Sequence, residues 1–129
     1  MSSTISTIYD SILAEIDEEI VRLMEARNRI IAKQARAVEI NAMRERGEMI
    51  CNLLTRASSL RDSYDVLLYI NAYIMPWRHY LIQKYFPKTI AALPESLPSK
   101  WNDMEVSIFF LEMSGALEQD RAVLASLQV

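Results

Sequence analysis

Arg27 stands where the surrounding pattern calls for an apolar side chain. Leu13, Ile16, Ile20, Leu23, Arg27, Ile30, Gln34 and Ala37 follow one another at steps of three and four residues. That spacing places them on one face of a helix. Ile12, Met24, Ile31 and Val38 widen the stripe. A guanidinium buried without a partner costs on the order of several kcal/mol even after relaxation. Arg27 therefore needs an acidic partner, a polar cavity or an anionic ligand; Glu45 and Glu48 are the internal candidates. Gln34 adds a neutral hydrogen-bonding group to the same face. A second cluster is Arg44, Glu45, Arg46 and Glu48. Arg44 and Glu48 are four apart, so they meet on one helix face; a solvated pair of this kind contributes about 0.3–0.5 kcal/mol. A third cluster is Trp77, Arg78, His79 and Gln83, in which His79 and Gln83 share a face and Arg78 can snorkel from the edge of it.

These types exclude some chemistries. His79 is the only histidine, and no second histidine or Glu-x-x-His spacing accompanies it, which argues against a metal site. Cys51 is the only cysteine, so no internal disulfide forms; it reads as a small core residue, and no local signature pairs it with His79 as a nucleophile. The chain holds two glycines, too few for turn-rich β architecture or a glycine-rich phosphate loop. Net charge is −3 with the two signs interleaved, so no free basic stripe is left for nucleic acid. Residues 1–7 carry no basic patch followed by an apolar run, so no signal peptide is expected. No apolar run is long enough to span a membrane. A cytoplasmic location is the expectation, with no metal or cofactor.

The elements that must position these clusters are all helical. A chain of 129 residues is expected to form one domain. The apolar spacing predicts a long first helix over residues 7–38 and three further helices. A helix that long with so wide an apolar face predicts a helical dimer. The second helix is expected over residues 42–57, with Asn41 as N-cap and Gly47 weakening it by about 1 kcal/mol relative to alanine. The third is expected from Asp62 or Ser63 to Phe86, kinked at Pro76. Pro87, Pro94 and Pro98 punctuate a connector, with a short helical turn over residues 89–93. The fourth helix has the clearest start. Asn102 and Glu105 form a variant capping box, and Trp101 and Val106 flank it as a hydrophobic staple. Val106, Phe110, Met113, Leu117 and Leu124 are its expected buried face.

Taken in order, the three clusters resemble the all-helical chorismate mutase family. Residues 16–27, IDEEIVRLMEAR, are similar to the family's first-helix signature. Residues 41–45, NAMRE, are similar to its second-helix motif, with asparagine for an aspartate. Residues 74–83 are similar to the third helix, which carries a pocket glutamine. The resemblance covers roughly residues 8–86; residues 87–129, the connector and the last helix, have no counterpart. It implies a mutase-like helical bundle, an intertwined dimer, and an enzyme acting on chorismate, isochorismate or a related small carboxylate by pericyclic rearrangement or pyruvate elimination. It implies Arg27 as a carboxylate clamp, Arg44 and Glu45 as ligand contacts, and Gln83 as donor to the ether oxygen of the breaking bond. Gln34, Glu48, Arg78 and His79 are expected to line the same pocket. Such a reaction needs a dianion held compactly and donors where negative charge develops, not a nucleophile. Two positions depart from the pattern. Val38 stands where the family has a lysine, and Asp10 where it has an arginine that reaches the partner's pocket. The alternative is therefore a catalytically inactive helical dimer that works as a binding or regulatory module.

Overall fold

A computed structural model describes residues 2–129, with side chains from residue 4 onward. Helix is the only regular structure among the described residues, with no strand. The first helix, α1, spans Ser2–Ser58. It absorbs both the first and the second helix expected from the sequence. Asn41 does not act as an N-cap, because the helix runs through it. The cause is visible locally. No glycine or proline interrupts residues 2–46. From within the expected break onward, Ile40, Gly47, Ile50, Leu54 and Ala57 are buried on one face. Holding that face in register requires the helix to be continuous there.

Contacts divide the chain into two units, one reaching as far as Val38 and the other Glu39–Gln128. The first unit is helix alone. Every side chain from Thr4 to Arg36 is exposed except the half-buried Ala26. The second unit holds the core. Ile40, Ile50 and Leu54 from α1 meet Phe109, Met113, Leu117 and Leu124 from the last helix, with Val66, Ile70, Ile74, Trp77, Ile82, Phe86 and Leu93 from the segments between.

The expected third helix is broken into pieces. The helix α2 (Ser63–Tyr69) starts on Asp62, whose carboxylate accepts from the Tyr64 N–H. It widens into a π turn over Ile70–Ile74 and tightens into a 3-10 turn over Met75–Trp77. Pro76 explains the sequence of changes. It has no N–H to donate and crowds the turn before it, and the backbone leaves helical geometry at Arg78. The helix α3 (Tyr80–Tyr85) then restarts, with the His79 ring accepting from the Leu81 N–H at 3.3 Å. Pro87 occupies the first turn of α4 (Pro87–Ala92), where its missing N–H costs nothing. The last helix, α5 (Asp103–Ser126), begins as the capping residues predict: Asn102 Oδ1 accepts from the Glu105 N–H at 2.8 Å. Trp101 and Val106 pack half-buried against the core. The buried face of α5 is Phe109, Met113, Leu117, Asp120 and Leu124, with Val106 and Phe110 only half-buried. Among the described residues, no helix is long and apolar enough to cross a membrane.

Candidate functional site

Arg44 is half-buried on α1, beside the end of α5. Its Nε and Nη2 donate to the Leu124 carbonyl at 3.3 and 3.1 Å, and Nη2 also donates to the Leu127 carbonyl at 2.6 Å. The last carbonyls of a helix have no partner within it and carry the negative end of its dipole. The guanidinium answers both needs. Arg44→Ala should lower the stability of this unit by about 2 kcal/mol, since charge-assisted hydrogen bonds contribute roughly 1.5–3 kcal/mol each and these are only partly buried. Arg44→Lys should recover less than half, because an ammonium cannot serve two carbonyls from a planar fork. Chemical denaturation of the three proteins measures both values.

Glu48, one turn on, pairs with Arg121 of α5 at 2.7 Å, and Arg121 also pairs with Glu118 at 3.2 Å. Arg44, Glu48, Glu118 and Arg121 border a surface concavity of about 400 Å³. Two cations and two carboxylates make its wall neutral. A dianion entering it would compete with the glutamates for Arg121. Glu45 is exposed and makes no hydrogen bond or ion pair among the described residues.

Arg78, His79 and Gln83 sit together around the break before α3. Arg78 Nη2 donates to the Pro94 carbonyl at 2.8 Å, tying the connector down. Gln83 Nε2 donates back to the Arg78 carbonyl at 3.3 Å. With His79 capping α3, all three side chains hold the backbone around that break. No hydrogen bond or ion pair joins this group to Arg44, Glu45 or Glu48 among the described residues.

Arg27 and Gln34 lie in the first unit, both exposed. Arg27 makes no hydrogen bond or ion pair among the described residues, so neither Glu45 nor Glu48 pairs with it here. Cys51 is half-buried against the core, as expected of a small packing residue.

Two polar groups escaped the sequence reading. Asp120 is 3 % exposed, and its carboxylate accepts from the Thr89 N–H and hydroxyl, each at 2.7 Å, and from the Lys88 N–H at 3.4 Å. It caps α4 from another helix. Glu39 accepts from the Tyr85 hydroxyl and from Lys84 Nζ, the latter at 3.3 Å. The Tyr85 hydrogen bond, helped by Lys84, holds the Glu39 carboxyl below the usual carboxylate range. Hydrogen bonding to Glu39 raises both Lys84 and Tyr85 above their ordinary values. The described residues contain no group of three or more His, Cys, Asp or Glu that could hold a metal ion. No family model, no curated protein and no solved structure matches the chain.

Proposed function

We propose that the chain is a non-catalytic helical binding module that acts by associating with other chains along the apolar stripe of α1. The observation that carries this reading is the stripe itself. Ile12, Leu13, Ile16, Ile20, Leu23, Met24, Ile30 and Ile31 are each between 43 % and 66 % exposed, on the stretch of α1 whose side chains from Thr4 to Arg36 are exposed except the half-buried Ala26. Helices in proteins owe most of their stability to packing of such a face. The alternating three- and four-residue steps are those of a helical seam that packs knobs into holes on another helix. The second support is that Arg44, Arg78, His79 and Gln83 are engaged in holding helix ends and turns, and Glu48 in an ion pair with Arg121 of α5.

A second reading keeps the mutase-like enzyme, rearranging or cleaving chorismate, isochorismate or a related small carboxylate. It rests on the unpaired guanidinium of Arg27 and on the order of the three motifs. A second chain would have to complete its pocket.

Sedimentation and far-ultraviolet dichroism over a dilution series decide the first reading. Mass and helix content should fall together as the stripes separate. A monomer at every concentration, with undiminished helicity, would overturn the proposal. Incubation with chorismate should yield no prephenate and no pyruvate. Turnover that Arg27→Ala abolishes would replace the module with the enzyme.

A further inference from the structure

The stripe assigns its own occupant. Resting on the association proposed above, we infer that α1 pairs with α1 of a second copy of this chain, antiparallel, with the two-fold axis beside Glu25. The argument begins with charge. Residues 9–25 carry six carboxylates and one cation, Arg22, whereas residues 27–38 carry four cations and no carboxylate. A parallel pair sets acid beside acid and base beside base. An antiparallel pair sets each acidic block against the basic block of the other copy.

The seam itself gives the same orientation. Leu13, Ile20, Arg27 and Gln34 occupy one of its two alternating core positions, and Tyr9, Ile16, Leu23, Ile30 and Ala37 the other. In a parallel, in-register pair each core layer repeats one residue, so Arg27 would face Arg27. Two like charges in one desolvated layer oppose association. In an antiparallel pair the two kinds of core position meet each other. With the axis beside Glu25, Leu23 packs against the aliphatic stem of Arg27 from the second copy, and Ile20 packs against Ile30. The same register faces Glu19, which also pairs with Arg22 of its own helix at 2.6 Å, with Lys33 across the seam, twice by symmetry, and brings Arg27 within a turn of the second copy's Glu19. An arginine on an apolar stripe thus gains a counter-charge, and its cost becomes a device that selects one orientation.

Spin labels measure the arrangement directly. Ser11 points away from the seam, so Ser11→Cys in a Cys51→Ser background carries a label without disturbing the packing. At 1.5 Å rise per residue the two labels lie ~42 Å apart along the axis in the antiparallel pair, and within ~20 Å in a parallel one. We expect the long distance. We also expect Glu19→Lys to weaken dimerisation roughly tenfold, since two facing pairs turn from attractive to repulsive, and Glu19→Lys with Lys33→Glu to restore it. A dimer with the short distance overturns the antiparallel inference and leaves the association standing. A long distance without restoration by the double exchange overturns the register. A protein that is monomeric at every concentration overturns the association and this inference with it.

Discussion

Ile30→Asp will abolish association, raising the dimer dissociation constant by about 100- to 10,000-fold. Ile30 is 66 % exposed in the single chain, so the substitution removes no packing within it. Within the pair the side chain lies in the seam against Ile20 of the other copy. Burying an isoleucine contributes about 1.5–3 kcal/mol, and each dimer holds two such sites. The new carboxylate also falls beside the acidic block of the second copy, near its Glu19. Within its own helix the effect is mild. The introduced carboxylate would stand one turn from Arg27 on one side and Lys33 on the other, the spacing of favourable ion pairs worth a few tenths of a kcal/mol, on the order of 0.2–0.5. Loss of assembly therefore cannot be blamed on loss of helix. The core of Glu39–Gln128 includes no residue before Ile40, so its thermal transition should be unchanged. Sedimentation equilibrium reads the first effect and calorimetry the second. A variant that still dimerises with wild-type affinity would show that the seam lies elsewhere.

The features legible in the sequence were those set by neighbouring residues. Asn102, Glu105, Trp101 and Val106 announce the start of α5 because a cap and its staple lie within one turn. Pro76 announces a disturbance because its missing donor acts on its own turn. It did not reveal that the disturbance would become a full break closed by the His79 ring, since histidine is not among the favoured capping residues. Asn41 illustrates the opposite error. It has the chemistry of a cap, but a cap forms only where the preceding backbone is free to leave the helix. The burial of Ile40 beside it removes that freedom.

The candidate site was legible as a set of residue types and not as a place. Periodicity shows that a helix face is apolar; it does not say which chain covers it. The position of Arg27 on such a face predicts burial, whereas in the single chain the stripe from Leu13 to Gln34 is exposed. Asp120 carries the same signal. Met113, Leu117, Asp120 and Leu124 continue the buried face of α5 at three- and four-residue steps, so a carboxylate on that stripe required donors. Those donors are the backbone of α4 and the Thr89 hydroxyl, some thirty residues away in sequence. Nothing local to either segment reports that they meet. The distant partners of Arg44 and Arg121 are hidden for the same reason: the end of α5 for Arg44, and Glu48 of α1 for Arg121.

The largest loss within the folded core is expected at Phe86, which is fully buried where α3 gives way to α4. Its ring lies over Gly47 of α1, so close that a β-carbon added there would sit 3.3 Å from Cζ and 3.4 Å from Cε1. Phe86→Ala should cost about 3–5 kcal/mol, the range for removing a buried aromatic and leaving its space unfilled. Phe86→Leu should cost less and keep the protein folded for measurement. Gly47 then supplies the diagnostic. A glycine inside a helix is worth about 1 kcal/mol less than alanine, so Gly47→Ala would ordinarily stabilise. Here the ring is fully buried, and Pro87 restricts the backbone that follows it, which leaves the ring little room to retreat. In the native background the gain should be cancelled or reversed. In the Phe86→Ala background the ring is gone and the full ~1 kcal/mol should appear. The two substitutions should therefore couple by at least about 1 kcal/mol in a double-mutant cycle followed by chemical denaturation. Additive effects would mean that the contact does not limit the site, and that glycine is present at residue 47 for a reason other than the ring.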